Sequence, residues 1–434
     1  MRSIEEPSRD IPVVAEADVV VVGGGPSGLA AALSAARNGA STVLVERYGH
    51  VGGLATGGLV IYLDDWFDGA QRTVAGIAKE VVDRLRPLGG VVEPAEETLF
   101  KSDWALWKTH ARWGFIAFHS KRRPKETTYC VIFDAEMLKY VAGEMLVEAG
   151  VILRLHSWAA TALCDGERVV GVAVESKEGR QALLGKVVID TTGDGDVFAT
   201  AGADFVKGQY MATLAHRLGG VNTERALRFE QEEPDEFKTR TREVVQTLGG
   251  TWGELWWWHT GRDGVVWCNC PHLRDIDGLS VDDLTRLEIE GRRRILKNLD
   301  YVRVHLPGFE GAYVVDTACQ ADIRQTRLLV GEYVLTKDDV VSGRTFPDSI
   351  GRGRSYHIPY RTLLPRGVEN LLVAGRCYSA TPDAQKISRE IPPCMVMGQA
   401  AGTAGAMAAY ARTSPRAVDL RELRALLTSQ GAIL

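Results

Sequence analysis

Hydrophobic residues near the start of the chain follow the pattern of a strand, a helix and a second strand. Residues 17–22 read ADVVVV, a short apolar run that predicts a strand buried on both faces. A glycine-rich turn then leads into LAAALSAARNGA, whose small residues and terminal Gly39 predict a helix with a C-cap. STVLVE at 41–46 repeats the strand pattern. Together these elements predict one β-α-β unit and therefore a parallel sheet.

Later segments extend this pattern. FDAEMLKYVAGEMLVEAGV (133–151) predicts a helix, and LRLHSWAATALC, RVVGVAVES and KVVID predict strands that include a meander. Residues 211–316 are polar and rich in tryptophan, which indicates an inserted domain. NLLVAG (370–375) returns to the buried-strand pattern, and MVMGQAAGTAGAMAAYA (395–411) predicts a helix of very small residues.

Composition narrows the class of protein. The 434 residues include 51 Lys and Arg, 56 Asp and Glu, and seven cysteines, with a net charge of −5. This balance argues against electrostatic binding of nucleic acid or of an anionic membrane. The scattered, odd set of cysteines argues against a disulfide framework. We find no apolar run of membrane-spanning length and no secretory signal, so the expected location is cytoplasmic.

The turn after the first strand carries a dinucleotide-binding pattern. Gly23, Gly25 and Gly28 fit G-x-G-x-x-G, in which the glycines permit a tight turn, close approach of a pyrophosphate, and close packing of helix on strand. The helix N-terminus then presents free N–H groups to the phosphates. Glu46 ends the second strand, where a carboxylate accepts hydrogen bonds from ribose hydroxyls.

Three further glycine-rich segments indicate a cofactor longer than a mononucleotide. They are VGGLATGG (51–58), IDTTGDGD (189–196) and VAGR (373–376), and Pro392 and Pro393 precede the small-residue helix. With these segments and their sequence context, the chain resembles the FAD-dependent oxidoreductase family related to the fumarate reductase and succinate dehydrogenase flavoproteins. The resemblance extends over nearly the whole chain.

The resemblance implies the fold and the cofactor. It implies an α/β protein with a Rossmann-like FAD-binding domain, containing a parallel sheet and a β-meander, and an inserted α+β cap or substrate domain. The FAD-binding domain is expected to be discontinuous, over 12–75, 130–210 and 360–434. The cap is expected to comprise 76–129 and 211–359.

The resemblance also implies a set of cofactor-binding residues. Those expected at the ADP and flavin-proximal parts are Ser27, Glu46, Arg47, Gly53, Thr56 and the backbone near Ala159. Those expected along the ribityl chain are Gly193, Asp194, Gly375 and Arg376. Many flavoproteins have an acidic residue where this chain has Arg376, so that contact departs from the pattern.

The start of the last helix is expected at the flavin ring, with Cys394 and Met395. Reduced flavin carries negative charge near N1 and the C2 carbonyl. A helix N-terminus supplies N–H donors and about half a positive charge there. Proline is tolerated in the first turn of a helix, which agrees with Pro392 and Pro393 at this position.

The predicted activity is hydride transfer between a small organic substrate and flavin N5, with reoxidation by oxygen or a separate carrier. A second G-x-G-x-x-G is absent from the sequence, which argues against a separate nicotinamide domain. An NAD(P)H-dependent hydroxylase stays open as an alternative, as does a non-enzymatic flavin-binding assembly or sensor protein. The expected partner is a small-molecule substrate, with a homo-oligomer or an external electron acceptor left open.

Four residues are candidates for catalysis. His357 precedes the return to the FAD-binding domain and is the candidate base for the substrate proton. Arg324, Arg352 and Arg389 are candidates for binding a substrate anion. A structural histidine and ordinary salt bridges are the alternatives for these positions.

Several other features are weaker candidates. His50 lies where related flavoproteins attach FAD covalently, although its spacing does not match closely. Cys268, Cys270 and His272 lack the spacing of a structural zinc site, so no metal is expected. A tryptophan-rich stretch forms either core or interface, or the wall of an apolar pocket; its members are Trp252, Trp256, Trp257, Trp258 and Trp267.

Overall fold

The computed structural model describes residues 3–5, 7–117, 120–248 and 257–434. Within these ranges the α-helices are α1 (Pro26–Arg37), α2 (Ile77–Leu85), α3 (Trp104–His110), α4 (Ala135–Glu148), α5 (Asp196–Thr200), α6 (Thr223–Glu232), α7 (Pro234–Leu248), α8 (Val281–His305), α9 (Lys337–Ser342), α10 (Pro382–Ser388), α11 (Ile391–Ala411) and α12 (Leu420–Ser429). The β-strands are β1 (Val13–Val22), β2 (Thr42–Val45), β3 (Tyr62–Leu63), β4 (Phe67–Asp68), β5 (Gln71–Arg72), β6 (Val91–Val92), β7 (Val131–Phe133), β8 (Ile152–Arg154), β9 (Trp158–Asp165), β10 (Arg168–Ser176), β11 (Gly179–Asp190), β12 (Phe205–Lys207), β13 (Ala212–Thr213), β14 (His216–Gly219), β15 (Trp257–His259), β16 (Val266–Cys268), β17 (His272–Leu273), β18 (Tyr313–Thr317), β19 (Asp322–Ile323), β20 (Arg327–Leu329), β21 (Ser349–Arg352), β22 (His357–Pro359) and β23 (Leu371–Val373).

A seven-stranded sheet organises the fold. Its order is β8-β2-β1-β11-β10-β9, and β23 also pairs with β11. The pairs β8–β2, β2–β1, β1–β11 and β11–β23 are parallel, whereas β11–β10 and β10–β9 are antiparallel. The predicted α/β class, with a parallel sheet and a meander, is therefore confirmed.

The long strand β11 joins the two parts of this sheet. On one side it pairs with β1 along most of its length. On the other side, residues 179–184 pair with the meander strand β10, and residues 188–190 pair with β23. The Val-rich run of β1 is completely buried from Val19 to Val21, as expected for a strand covered on both faces. The central parallel strands thus form a rigid platform with a shared carboxyl edge.

Helices α1 and α11 cross in close contact on one face of the platform. A Cβ atom added at Gly398 would lie 2.0 Å from the Ser27 carbonyl oxygen, and one added at Gly402 would lie 2.1 Å from that of Ala31. The small residues predicted for this helix therefore let two backbones approach each other. The helix begins at Ile391 rather than at Met395, so Pro392 and Pro393 lie inside its first turn.

The remaining strands form smaller sheets, two of them built only from residues between 212 and 323. One has the order β15-β16-β14-β18 and the other has the order β17-β13-β19. Helix α8 packs against this region through buried residues that include Leu287 and Ile295. The domain boundaries given above stay a prediction. No helix in the described ranges combines the length and the apolar character needed to cross a membrane.

Candidate functional site: a cleft at the carboxyl edge of the sheet

Four parallel strands end side by side and define the site. Val22 of β1 is in register with Val45 of β2 and with Asp190 of β11, and Asp190 is in register with Val373 of β23. The loops that follow these strands therefore meet at one edge. This is where open α/β sheets bind their ligands.

These loops line a long groove with two connected parts. The larger part encloses about 820 Å³, including open solvent at its mouth, and the smaller part encloses about 340 Å³. Glu46, Arg47 and Thr192 contribute to both parts. The predicted residues that line the larger part are Gly25, Ser27, Glu46, Arg47, Gly53, Gly193, Gly375, Arg376, Arg389 and Cys394. Those that line the smaller part are Gly23, Glu46, Arg47 and Ala159.

The glycine turn has the geometry that close approach of a phosphate requires. Gly23 has φ +101°, in the left-handed region where a side chain is strained. A Cβ atom at Gly28 would lie 1.8 Å from the Gly23 carbonyl oxygen, so Gly28 serves packing and does not line the groove. Gly25 faces open space, with no atom within 4 Å of an added Cβ atom. The turn therefore leaves room directly before the N-terminus of α1.

Glu46 and its neighbours form the recess at one end of the groove. The Glu46 carboxylate is buried and accepts backbone N–H bonds from Gly24 at 2.7 Å and from Tyr48 at 2.9 Å. The Arg47 guanidinium lies 5.0 Å from the ring centroids of both Tyr48 and Trp158. A buried carboxylate beside an ordered planar cation suits a ribose and its attached base.

Five residues of the groove wall have a buried polar atom that lacks a hydrogen-bond partner among the described residues, and two of them belong to the predicted cofactor-binding set. In these two, the unpaired atoms are Ser27 Oγ, at the N-terminus of α1, and Arg376 Nη1. Buried polar groups are ordinarily hydrogen-bonded, so an unpaired hydroxyl and guanidinium nitrogen indicate that a ligand completes them. Both are donors and suit the phosphate oxygens and hydroxyls of a dinucleotide. The residues present therefore fit FAD.

Arg376 replaces an expected acidic residue, and its contacts show what it does here. Arg376 Nη2 lies 2.8 Å from Asp194 Oδ1, which also accepts a hydrogen bond from the Thr326 hydroxyl at 2.9 Å. Asp194 itself does not line the groove. Arg376 therefore presents a donor to the groove while Asp194 holds its guanidinium from behind, and its contact with the ribityl chain stays a prediction.

The loop after β11 is held by a buried aspartate. Asp190 is fully buried and accepts hydrogen bonds from the Thr192 hydroxyl and from the backbone N–H groups of Thr192, Val197 and Phe198. Burial raises the pKa of Asp190, and these donors oppose that rise. The next carboxyl, Asp196, has its pKa raised to about 6 by burial and by the charge of Asp194. The network holds Thr192 in place at the groove.

The start of α11 forms the end wall of the groove. Glu390, Ile391 and Cys394 line it, whereas Met395 is buried in the core. Because Pro392 and Pro393 have no N–H group and the Cys394 N–H bonds to the Glu390 carbonyl, Ile391 provides the free amide of this turn. The N-terminus of α11 thus borders the groove, and it offers fewer N–H donors than an ordinary helix start; its position at the flavin ring stays a prediction.

Of the four candidate catalytic residues, Arg389 lines the groove and the other three do not. The buried Nε of Arg389 has no hydrogen-bond partner within the described ranges. Arg324 lies behind the wall, where it binds Asp322 at 3.1 Å and the Thr213 hydroxyl at 2.8 Å. Arg352 Nη2 lies 3.3 Å from Asp68 and does not line the groove.

His357 lies on the hairpin of β21 and β22, outside the groove lining. Its Nδ1 lies 3.2 Å from the Ser349 hydroxyl. Burial lowers the pKa of His357, and the charges of Arg352 and Arg424 lower it further. The structure thus keeps this imidazole neutral near pH 7, and its role as the base stays a prediction.

Thr56 and His50 also lie beside the groove rather than on its wall. The fully buried Thr56 hydroxyl donates to the Val51 carbonyl at 2.8 Å. It also lies 3.2 Å from His50 Nδ1, and His50 Nε2 lies 3.7 Å from the Cys319 thiol. Thr56 therefore shapes the loop, and the imidazole of His50 faces a thiol.

The tryptophan-rich stretch lies only partly within the described residues. Trp252 and Trp256 lie outside them, whereas Trp257, Trp258 and Trp267 are buried in the hydrophobic core. None of the latter three lines the groove. In the part of the chain that can be described, no set of three or more His, Cys, Asp or Glu side chains is arranged to hold a metal ion.

Sequence reasoning missed Gln320 and Asp322 on the groove wall. Gln320 Oε1 and Asp322 Oδ1 are buried and lack hydrogen-bond partners among the described residues. They lie in the segment CQADIR next to the candidate Arg324, and this proximity was the only available signal. They add unpaired acceptors to the groove wall, which also carries the unpaired Ser27 hydroxyl and Arg376 nitrogen.

Replacing Ser27 with alanine tests the fit to the cofactor. We expect about a tenfold loss of FAD affinity, since a hydrogen bond to a charged group contributes about 1.5 kcal/mol or more. Ser34→Ala is the matched control, because this hydroxyl lies on the same helix but bonds to Thr403 at 2.7 Å, away from the groove. Titration of the apo-protein with FAD measures both variants. If the two variants bind FAD with equal affinity, Ser27 does not contact the cofactor.

Known proteins resemble this chain at several levels. Its sequence matches the family described as FAD dependent oxidoreductase over residues 18–355 and 351–427. A urocanate reductase from Eggerthella lenta is 42% identical over 72 residues, which cover 15% of this chain and 12% of that protein.

Solved structures are similar over most of the chain. A geranylgeranyl bacteriochlorophyll reductase-like protein from Thermoplasma acidophilum is 15% identical, with a TM-score of 0.47, and the match covers 96% of this chain and 84% of that one. An L-amino acid deaminase from Proteus vulgaris is 13% identical, with a TM-score of 0.43, over 96% and 94% of the two chains. On the strength of the family match across nearly its whole length, the chain belongs to the FAD-dependent oxidoreductases.

Proposed function

We propose that this enzyme transfers a hydride between a small organic substrate and flavin N5, and that oxygen or a separate carrier reoxidises the flavin. The observation that carries this proposal is a set of unpaired polar atoms on the groove wall. Arg389, Gln320 and Asp322 each have a buried polar atom with no hydrogen-bond partner among the described residues, in addition to those of Ser27 and Arg376. A substrate over the flavin would complete them.

FAD, when bound, supplies a two-electron centre that accepts or gives a hydride. The protein contributes the rest. Glu46 and the N-terminus of α1 would hold the adenosine and pyrophosphate parts, and Arg376 would meet the ribityl chain. Arg389 would attract and orient a substrate anion, because its guanidinium is only partly paired. The apolar side chains of Leu54, Val60 and Ile391 would exclude water from the reacting atoms.

Anaerobic reduction of the FAD-loaded protein tests this function. We expect the yellow colour to bleach with one substrate from a panel of small alcohols, amines and organic acids, and to return when air is admitted. A protein that consumes NADPH and oxygen together on addition of an aromatic compound would instead be a hydroxylase. A protein that no compound reduces, and that bleaches only slowly in light, would have a non-enzymatic role for its flavin.

A further inference from the structure

A group of ionisable side chains, one of them buried and four half-buried, lies at the end wall of the groove. We call it the carboxyl cluster, and its members are Asp64, Asp65, Arg354, Arg389 and Glu390. Asp64 and Asp65 follow β3, Arg354 lies between β21 and β22, and Arg389 and Glu390 precede α11. The last two line the groove, so the cluster reaches the site through them.

The contacts within the cluster leave several polar atoms unsatisfied. Asp65 is 4% exposed, and its only charged partner in the described structure is Arg354, at 3.4 Å. Neither oxygen of Asp65 has a hydrogen-bond partner among the described residues, and the same holds for Asp64 Oδ1 and the fully buried Tyr356 hydroxyl. Leaving buried carboxylate oxygens unpaired is costly, so their charge needs an explanation.

The balance of charge supplies that explanation. Three carboxyl groups share the cluster with two guanidinium groups, which leaves one uncompensated negative charge if all are ionised. The other groups that face it are neutral: Tyr62 from β3, Cys130 directly before β7, Tyr356 from the β21–β22 turn, and Cys394 from α11. A proton on one carboxyl group removes the excess charge.

Burial is the main reason why this proton resides on Asp64 or Asp65. Burial raises the pKa of Asp65 to about 7, although Arg354 opposes the rise. Burial and the charges of Glu390 and Asp65 raise the pKa of Asp64 well above its ordinary value. Both shifts favour the protonated form, and because the two carboxyl groups interact, the bound proton belongs to the pair rather than to either residue.

We propose that Asp64 and Asp65 form a proton reservoir that serves the groove through Glu390. This inference rests on the proposed function and narrows its substrate class. The two aspartates are positioning residues, because they act on the substrate through Glu390, which lines the groove.

The reservoir suits a substrate that loses a proton together with a hydride. In an alcohol or an amine, the C–H bond breaks with its electron pair going to flavin N5, and the O–H or N–H bond breaks to release the proton. The new C=O or C=N bond uses the electron pair left on oxygen or nitrogen. The proton passes to the Glu390 carboxylate and from there to the ionised aspartate. The substrate is oxidised by two electrons and the flavin is reduced by two.

Asp65→Asn tests the reservoir first in the apo-protein, by infrared difference spectroscopy across pH 5 to 9. We expect wild-type protein to show a buried protonated carboxyl group that titrates near pH 7, and Asp65→Asn to lose or shift this signal. Asp68→Asn is the matched control, since Asp68 lies three residues further along the chain, in β4, and is exposed; it should keep the signal. If Asp65→Asn does not fold, Asp64→Asn replaces it.

Thermal melting of the same apo-proteins gives a second reading. A raised pKa in the folded state means that the folded protein loses stability as pH rises from the unfolded carboxyl pKa, near 4, through about 7. Because asparagine does not ionise, Asp65→Asn should gain in melting temperature relative to wild type between pH 5 and pH 8. A constant difference between the two proteins would contradict a buried titrating carboxyl group.

The rate of flavin reduction in the FAD-loaded enzyme tests whether the reservoir acts during turnover. With a substrate that bleaches the flavin, the wild-type reduction rate should rise about tenfold per pH unit below pH 7 and then level off. Asp65→Asn should shift or remove this limb. An unchanged pH profile, or no titrating carboxyl group in the apo-protein, overturns the reservoir. A normal apo-protein titration with no reducing substrate contradicts the proposed function alone.

Discussion

Replacing Glu46 with alanine is expected to lower the affinity for FAD by about 100-fold or more. The carboxylate ties the Gly24 and Tyr48 amides together across the end of β2, at 2.7 and 2.9 Å. Hydrogen bonds to a charged group contribute about 1.5–3 kcal/mol each, and 100-fold corresponds to about 2.7 kcal/mol. The loss combines the ribose contact with disorder of the glycine turn.

Comparison of FAD with FMN separates these two contributions. FMN lacks the adenosine part, so wild-type protein should prefer FAD strongly, and Glu46→Ala should lose most of that preference. Glu16→Ala is the control, because Glu16 is an exposed acidic residue on β1. Fluorescence titration of the apo-proteins with both flavins measures the effect. A variant that retains the full preference for FAD would show that Glu46 does not bind the ribose.

Gly402→Ala is expected to destabilise the protein by about 3 kcal/mol, at the upper end of the usual cost of overpacking. The added methyl group would lie 2.1 Å from the Ala31 carbonyl oxygen. This neighbour is backbone, so relief requires α1 and α11 to separate. The separation would also displace Ser27 at the other end of the helix contact, and FAD affinity should fall with stability.

Gly143→Ala provides a control of the same chemistry. Gly143 lies within α4, and an added Cβ atom there meets no atom within 4 Å. Alanine in such a helix position should stabilise the protein by about 0.5–1 kcal/mol. Urea denaturation of the apo-proteins should therefore move the two midpoints in opposite directions. A tolerated Gly402→Ala would show that the helix contact is looser than described.

The parallel platform could be predicted because its signals are local. The Val-rich run of β1, the glycine turn and the carboxylate at Glu46 follow each other within thirty residues of sequence. The same reasoning identified β23 and α11 from their composition. The place of Pro392 and Pro393 at the start of α11 could likewise be expected, because they fill positions whose N–H groups are unpaired in any helix.

Contacts between distant segments could not be predicted in this way. The pairing of Arg376 with Asp194 depends on two loops that meet only because β23 inserts beside the second half of β11. The carboxyl cluster likewise joins residues near positions 64, 354 and 390, and YLDDW carries no local mark of burial. The substrate side of the groove depends on such long-range contacts.

Strand β23 and helix α11 come late in the sequence but pack against elements from its beginning, which affects how the protein folds during synthesis. A nascent polypeptide that has emerged only as far as α4 already contains β1, α1 and β2, but the surface that α11 will cover is still bare. FAD can then bind only when translation is nearly complete. Until then, the chain on the ribosome exposes the apolar helix face that α11 will cover. Such an exposed apolar face makes the partly synthesised chain prone to aggregation.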